Sequence, residues 1–284
     1  MLQHMDILKT ISDRISIRSY EQEPVTAAEL EEVRRAGEAA ESLTQVEMKF
    51  HLCEHDEMGK ELRGLIGNYV KTIVAPHYIV LASREGDGYL TDAGFRFEQM
   101  ILEATRRGLG TCWVGLMFKE GSLRSCLELD KSWRVIALTP IGLSADPTFL
   151  SQALRTLARS STRRPIERTF FWKRHGDSLP FHAFTDDRLT CIMEATRWSP
   201  SWMNRQPWNF ILTGRECLAY KTRPHDREGK DYHLVDCGIA MSHMHLAAKA
   251  LGFSGRWELG SFEVPGAPDA RPIGRYPLPI ESNR

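Results

Sequence analysis

Two stretches of the chain repeat each other and decide its fold. The first, TDAGFRFEQMILEATRRGLGTCW, covers residues 91–113, and the second, LVDCGIAMSHMHLAAKALGFSGRW, covers residues 234–257. Each has an aspartate, one further residue and a glycine, and then an apolar helix that ends in a basic residue, a glycine and a tryptophan. A repeat with a period near half the chain is too long for a solenoid. It therefore predicts a duplicated unit, in which one chain holds both halves of what would otherwise be a dimer.

The segments around the two repeats predict further helices and strands. Thr26 lies three residues before Glu29, which is the spacing of a capping box, so we predict a helix from there to about Gly37. The long helix of the first repeat should stop at Gly108 and Gly110, because glycine ends helices readily. By their apolar, β-branched or aromatic content, the remaining elements are strands at residues 75–83, 134–143 and 209–214, a helix at 188–198 and a long helix ending at 252.

The bulk properties describe an ordinary globular protein. The chain has 284 residues, 42% apolar and 26% charged, with a formal net charge of zero and a sequence pI of about 7.1. A neutral balance gives no overall attraction to nucleic acid or to an anionic membrane. The N-terminus does not predict a signal peptide, and no segment predicts a membrane span. Six cysteines without a CxxC pair predict free, buried thiols and a cytoplasmic protein.

A rigid, polar loop follows the helix at residues 188–198. SPSWMNRQPW, residues 199–208, contains two prolines and two tryptophans among small and amide side chains. Proline fixes φ and disfavours the α conformation for the residue before it, so this stretch is not helix interior. Rigid loops that are rich in hydrogen-bonding groups are where binding sites are often built. The loop is therefore a candidate binding element that needs a partner.

Three stretches carry a resemblance to a known family. RISIRSY at residues 14–20, GLGTCWVG at 108–115 and SPSWMNRQPWNF at 199–210 resemble signature segments of the FMN-dependent nitroreductase family. The whole chain, including RRPIERTF at 163–170, is similar to the tandem branch called putative TM nitroreductase, in which two nitroreductase-like halves are fused. The resemblance implies an α+β nitroreductase-like fold, with pseudo-symmetric halves at residues 1–158 and 159–284 around a mixed or antiparallel sheet.

The resemblance also implies one composite cofactor site. The first half lacks its own copy of the proline-rich loop, since residues 39–50 read AAESLTQVEMKF, and the second half has no clear counterpart of RISIRSY, the R-x-S-x-R segment. Each half has kept one side of the site, so we expect one FMN per chain, bound between the halves. Fusion also removes the need to dimerise, so we expect a monomer.

The family pattern assigns roles to residues along the chain. Arg14 and Arg18, spaced for a turn that enters a helix, would bind the phosphate with Ile15 and Ser16, since guanidinium groups suit bidentate phosphate contacts. Arg163 and Arg164 match basic residues at the same phosphate. The flavin ring and ribityl chain would be contacted by Asn68, Lys71, Trp113, Val114, Gly115, Pro200, Ser201, Trp202 and Asn204.

The roles at the ring are specific. Lys71 would stabilise the anionic reduced flavin electrostatically. Gly115 would allow close approach of the backbone to the ring. A surface charge for the arginines and core packing for Trp113 are the structural alternatives. Several relatives carry a glutamate in the 113–115 loop, and this chain does not.

The implied reaction is flavin chemistry. NADPH or NADH would give hydride to flavin N5, and an organic acceptor (a nitroaromatic, quinone, enone or flavin) would then take the electrons, with no side-chain nucleophile and no metal. One alternative is a family outlier that performs flavin-linked oxidation, dehalogenation or flavin breakdown. Another is a flavin-binding or storage protein without efficient turnover. A third is a structural relative without FMN.

Other signals predict no site. GLGTCWVG at residues 108–115 lacks G-x-G-x-x-G and follows a helix, which excludes a dinucleotide loop. His243 and His245 are two positions apart, a spacing that does not place them on one helix face. Cys112 has no feature that marks an activated thiol, and HDREGKDYH at residues 225–233 predicts a solvated loop.

Overall fold

The computed structural model describes residues 2–54, 73–115, 120–145, 163–180, 186–222 and 231–280. The helices within these ranges are α1 (Leu2–Asp13), α2 (Ala27–Glu38), α3 (Tyr89–Arg106), α4 (Glu120–Cys126), α5 (Asp187–Arg197) and α6 (His233–Ala250). The strands are β1 (Met48–Glu54), β2 (His77–Arg84), β3 (Gly110–Thr111), β4 (Val114–Gly115), β5 (Trp133–Gly142), β6 (Phe170–Trp172), β7 (Trp208–Leu212), β8 (Glu216–Lys221), β9 (Glu258–Leu259) and β10 (Arg271–Pro277). Helices and sheets are thus mixed along the chain.

Contacts divide the chain into two compact units. The unit that we call the N-terminal-sheet unit comprises Asp13–Tyr89 and Arg96–Leu154. The C-terminal-sheet unit comprises Met1–Ser12, Leu90–Phe95 and Arg155–Arg284. The predicted halves at 1–158 and 159–284 describe a duplication, and their boundary stays a prediction.

The N-terminal-sheet unit contains an antiparallel sheet. Its strand order is β1-β2-β5-β3, and β4 also pairs with β5. Strand β2 is buried along almost its whole length, as the apolar run of residues 75–83 predicts. Helix α2 packs on β1. An apolar cluster contains Ile17, Tyr20 and Cys112 together with Tyr78 and Leu138. This cluster anchors the segment that follows α1.

The C-terminal-sheet unit contains a mixed sheet. Its strand order is β6-β7-β8-β10-β9, with β6 parallel to β7 and the other pairs antiparallel. Helix α5 packs against α6, and α6 packs on β7 and β8. Helix α6 is buried on nearly all of its faces, which explains why its sequence is apolar with little amphipathic patterning.

The two sheets share one connectivity. In each sheet a helix (α2 or α5) precedes the first of four strands (β1 or β7). An 18-residue helix (α3 or α6) follows the second of these strands. The next short strand and the last long strand then occupy matching places, so β1-β2-β5-β3 corresponds to β7-β8-β10-β9. This shared order is the arrangement that the repeat in the sequence predicts.

The predicted helix ends are confirmed by the structure. The Thr26 side chain accepts a hydrogen bond from the Glu29 backbone N–H, and α2 begins at the next residue. Gly108 and Gly252, just past α3 and α6, have φ values of 78° and 90°. Such left-handed positions follow helix ends and favour glycine. No helix among the described residues is long and apolar enough to cross a membrane.

The Asp-x-Gly pattern marks a close crossing of α3 and α6. A Cβ atom added at Gly94 would lie 2.0 Å from the backbone oxygen of Val235, and one added at Gly238 would lie 1.9 Å from that of Thr91. Thr91 and Val235 each lie three residues before the glycine of their own helix, so the contact is reciprocal, as in an isologous interface. All four residues belong to the C-terminal-sheet unit. Any side chain at either glycine would hold the two backbones apart.

We therefore expect Gly238→Ala to lower the free energy of unfolding by about 3 kcal/mol or more, or to prevent folding. Denaturant unfolding of the purified variant measures this. Gly121→Ala is the matched control, because a Cβ at this α4 position meets no described atom within 4 Å and alanine favours helix. A Gly238→Ala protein as stable as the control would contradict the close crossing.

Candidate functional site

The R-x-S-x-R segment follows the end of a helix, whereas the sequence predicts that it precedes the start of one. Helix α1 ends at Asp13, and α2 begins only at Ala27. Between them Ser16 forms a parallel bridge with Thr111, and the Ile17 N–H donates to the Thr111 oxygen at 2.8 Å. The prediction of a turn entering a helix is wrong, because the segment follows a helix and is held beside β3 by this bridge and hydrogen bond.

The alternation of side chains in this segment explains its motif. Ile15 and Ile17 pack on the apolar cluster of the N-terminal-sheet unit. In an extended chain alternate residues face opposite sides. Arg14, Ser16 and Arg18 therefore alternate with the anchoring isoleucines, which is the physical content of the R-x-S-x-R spacing.

Arg14, Ser16 and Arg18 all influence the thiol of Cys112. Burial raises the pKa of this thiol, while the charges of Arg18 and Arg14 and a hydrogen bond with Ser16 act to lower it. The thiol therefore stays protonated at neutral pH, in agreement with the prediction that it is not activated. The structure thus brings the three predicted phosphate-binding residues together, and their phosphate role itself stays a prediction.

Arg14 is itself buried. Its side chain is only 2% exposed, and its Nε lies 3.5 Å from Oε1 of Glu98, whose side chain is fully buried. Nε and Nη1 of Arg14 have no hydrogen-bond partner among the described residues. A buried guanidinium with unused donors is unusual in a folded protein, since buried polar groups are almost always hydrogen-bonded.

Glu98 is the residue that sequence reasoning missed. It also accepts a hydrogen bond from the Trp113 indole N–H at 2.6 Å. The Trp113 ring packs edge-on against Phe97 at 5.0 Å between centroids. Within the apolar pattern of α3 a glutamate is expected to face solvent, and its partners are distant in sequence. Trp113 thus has packing and hydrogen-bond partners within the protein, and its contact with the flavin stays a prediction.

Residues 114 and 115 form a short strand after Trp113. Val114 pairs with Leu138 and Gly115 with Ala137 of β5. A Cβ at Gly115 would meet no described atom within 4 Å. The position therefore has room for the close backbone approach that the family pattern implies, and its contact with a ligand stays a prediction.

The loop at residues 199–208 is strained. Met203, Asn204 and Gln206 have φ values of 47°, 56° and 46°, which costs free energy for residues other than glycine. Trp202 and Met203 are 40% and 73% exposed, and the Arg205 guanidinium lies over the Trp202 ring at 4.8 Å. Backbone strain of this kind persists only where the surroundings impose it, and it concentrates at functional sites.

Side chains beneath the loop impose this conformation. The Gln206 N–H donates to the Ser201 hydroxyl at 2.9 Å, and the Trp202 N–H donates to Asp236 at 3.1 Å. The Gln206 side-chain amide donates to the Asn204 backbone oxygen at 3.2 Å. Pro200 is buried at the start of the loop. The predicted contact residues of this loop are thus presented on a braced scaffold.

Arg163 and Arg164 brace the same loop. Arg163 donates to the Asn204 side-chain oxygen and to the Trp198 backbone oxygen at 3.4 Å. Arg164 donates from its backbone N–H to Gln206 at 2.8 Å and from its guanidinium to Asn209 at 3.2 Å and to the Trp208 backbone oxygen. The structure thus gives both arginines partners in the loop, and their predicted phosphate contacts remain predictions.

Several other predictions meet different outcomes. Asn68 and Lys71 lie outside the described residues. Asp231, in the stretch expected to be solvated, is only 6% exposed and pairs with Lys221 at 2.8 Å, so that expectation is wrong at this residue. All six cysteines are free; the prediction of burial fails for Cys126 and Cys191, which are exposed.

The fold is that of an α+β protein whose two sheets share one connectivity. Its candidate site residues include a buried arginine whose Nε and Nη1 have no hydrogen-bond partner among the described residues, and a strained loop that carries tryptophan. Residues 6–248 match the family described as Putative TM nitroreductase. The match covers most of the chain, so the chain belongs to this family, and its fold is the nitroreductase fold. The resemblance drawn from the sequence motifs is thereby confirmed.

The chain is similar to solved structures of nitroreductases. The chain is 21% identical to a putative nitroreductase from Thermotoga maritima, with a TM-score of 0.59, over 97% of this chain and 94% of that one. An FMN-dependent nitroreductase from Clostridium difficile is 23% identical with a TM-score of 0.41, over 48% of this chain and 87% of that one. The first similarity supports the fold across the full length of the chain.

We expect Arg164→Ala to loosen the loop at residues 201–206. Loss of its hydrogen bonds should lower the free energy of unfolding by about 2 kcal/mol and speed amide hydrogen exchange at Trp202 and Gln206. Arg168→Ala is the control, since Arg168 is exposed in the same segment. Exchange in Arg164→Ala no faster than in the control would contradict the bracing role.

We also expect cysteine alkylation to discriminate between sites. At pH 8 the exposed Cys126 and Cys191 should react with iodoacetamide, while Cys112 should not, because burial both covers its thiol and raises its pKa. Raising the pH should increase its thiolate fraction. Peptide mass spectrometry of the native protein measures each site, and preferential labelling of Cys112 would overturn the assignment of an inert thiol.

Proposed function

We propose that this chain is an FMN-dependent oxidoreductase that takes electrons from NADPH or NADH and passes them to a small organic acceptor. The observation that carries the proposal is the set of Arg14, Ser16 and Arg18 near Cys112, in which Nε and Nη1 of the buried Arg14 have no hydrogen-bond partner among the described residues. Membership of a nitroreductase family supports an oxidoreductase. The motif resemblance supports FMN as its cofactor.

The side chains of this set fit a phosphate group. Nε and Nη1 of Arg14 and the hydroxyl of Thr111 are buried and have no hydrogen-bond partner among the described residues. Arg18 is exposed and adds a second positive charge. Charge-assisted bonds from guanidinium to phosphate are among the strongest that proteins make. A terminal phosphate would therefore satisfy donors that the protein leaves unsatisfied.

The strained loop fits the polar and aromatic remainder of the cofactor. Trp202 offers an exposed indole face, and Asn204 offers an amide held by Arg163 and Gln206. Such preorganisation lowers the entropy lost on binding. The proline-rich loop occurs once in the sequence, which supports one FMN per chain, and the fused repeats support a monomer.

Bound FMN would supply the hydride and electron chemistry of the reaction. The protein would supply binding and electrostatics: the Arg14 set for the phosphate, the 200–204 loop for the ring and ribityl chain, and Lys71 for negative charge on the ring. The acceptor classes that we propose are nitroaromatics, quinones, enones and flavins, with the compartment proposed to be the cytoplasm.

Reduction of the bound flavin tests the function. After reconstitution with FMN, the protein should show a flavin absorption band that NADPH or NADH bleaches under anaerobic conditions and that an added quinone restores. A bound flavin that neither donor reduces would favour a storage protein or another electron donor. A chain that binds no flavin would overturn the proposal.

Arg14→Gln should weaken FMN binding at least tenfold, because it removes a charge-assisted phosphate contact. Fluorescence titration of FMN measures the Kd. Arg35→Gln is the control, since Arg35 is a surface residue of α2 that pairs with Glu31. Equal FMN affinity in Arg14→Gln and the control would show that Arg14 does not bind the phosphate.

A further inference from the structure

Glu98 is a fully buried carboxylate within the apolar helix α3. Its side chain is 0% exposed, with Phe97, Met100 and Ile101 buried beside it along the helix. Burying a charge without compensation is costly, so such a group persists only where it is paired. Its partners include the Trp113 indole at 2.6 Å and the Arg14 guanidinium at 3.5 Å.

The fold does not require this carboxylate. Trp257 lies 19 residues after Gly238, as Trp113 lies 19 after Gly94. The Trp257 indole N–H donates to the backbone oxygen of Met241 at 2.9 Å. The position that corresponds to Glu98 in the second repeat is Ser242. One repeat thus satisfies its tryptophan without a buried charge, and the other uses a glutamate beside a buried arginine.

Glu98 lies close enough to Arg14 to neutralise its charge but does not accept hydrogen bonds from its Nε or Nη1. At 3.5 Å, Nε of Arg14 and Oε1 of Glu98 form an ion pair, yet neither Nε nor Nη1 of Arg14 is hydrogen-bonded within the described residues. The short hydrogen bond of Glu98 is made to Trp113 through Oε2. Glu98 therefore compensates the charge of Arg14 while leaving guanidinium N–H groups available to an anion.

We propose that Glu98 is the resident counter-ion of Arg14, which keeps this buried guanidinium charged and in place before the cofactor phosphate arrives. The proposal rests on the proposed function, since it takes Arg14 to bind that phosphate. Glu98 is accordingly a positioning residue. It stabilises the protein without cofactor and weakens phosphate binding, because two anions then share one guanidinium.

Glu98→Gln separates these effects. Glutamine has the same shape, and its carbonyl oxygen can still accept from Trp113, but its negative charge is gone. At an effective dielectric constant of about 20, removing one nearby negative charge strengthens the binding of an anion at least about tenfold. The change should act on the phosphate of FMN and not on riboflavin, which has the same ring and no phosphate.

The measurement is the ratio of the riboflavin Kd to the FMN Kd, obtained by fluorescence titration of the full chain. We expect Glu98→Gln to raise this ratio at least about tenfold over the wild type. Glu103→Gln, which removes a carboxylate paired with Arg106 and Arg107 on the same helix, should leave the ratio unchanged. An unchanged ratio in Glu98→Gln would show a purely structural role, and a lower ratio would show that Glu98 aids phosphate binding; either overturns the proposal.

A second arm covers loss of folding and failure of the proposed function. Glu98→Gln should lower the Tm of the protein without cofactor, and inorganic phosphate should raise the Tm of this variant more than that of the wild type. Arg14→Gln/Glu98→Gln should be more stable than Glu98→Gln, because it removes both charges of the pair. A wild-type chain that binds neither flavin sinks the proposed function, while these shifts still decide the role of Glu98. If phosphate raised the Tm of Glu98→Gln and of the wild type equally, or if the double variant were no more stable than Glu98→Gln, the role of Glu98 as a counter-ion would be overturned.

Discussion

The close crossing of α3 and α6 at Gly94 and Gly238 is the constraint on which the rest of the structure depends. Two backbones that approach so closely fix the register of both helices, since each glycine faces the oxygen of the residue three positions before the other. The residues next to these glycines are thereby fixed as well. Asp236 is then placed to accept from the Trp202 N–H of the strained loop, and one helical turn after Gly94 comes Glu98.

The two repeats have the same scaffold and different polar residues. Helices of equal length follow equivalent strands, and each helix end is followed by a left-handed glycine. The polar groups are not repeated: the buried Arg14–Glu98 pair is built on the first repeat, and the braced, proline-rich loop on the second. Shared connectivity thus sets where each group lies, and side-chain divergence sets which repeat carries it.

Much of this fold could be predicted from sequence because the signals were local. The capping box at Thr26 and the glycines past α3 and α6 act within a few residues, so a single sequence reveals them. Strands β3, β4 and β9 are two residues long each, which is too short for any periodicity to detect. The sequence also did not predict helix α1. The spacing of the arginines after it predicts a turn that enters a helix, although the helix in fact precedes them.

The candidate site was predictable in its residues and less so in its contacts. The family resemblance grouped Arg14, Ser16 and Arg18 as one set, and their role at a phosphate stays a prediction. The burial of Glu98 could not be predicted from the sequence, because a glutamate in a helix is usually solvated and its partners at positions 14 and 113 are far away in sequence. The bracing of the loop by Arg163 and Arg164 was missed for the same reason, since tertiary contacts decide whether an arginine binds a ligand or a backbone oxygen.

The central claim is that a duplicated scaffold carries one cofactor site per chain. Sedimentation equilibrium of the FMN-saturated protein, recorded at both protein and flavin wavelengths, tests it most directly. The account predicts one FMN per chain on a species of 32.4 kDa. Two FMN per chain would show that both repeats retain a working site, and flavin bound only to a species of twice that mass would show that a second chain completes it.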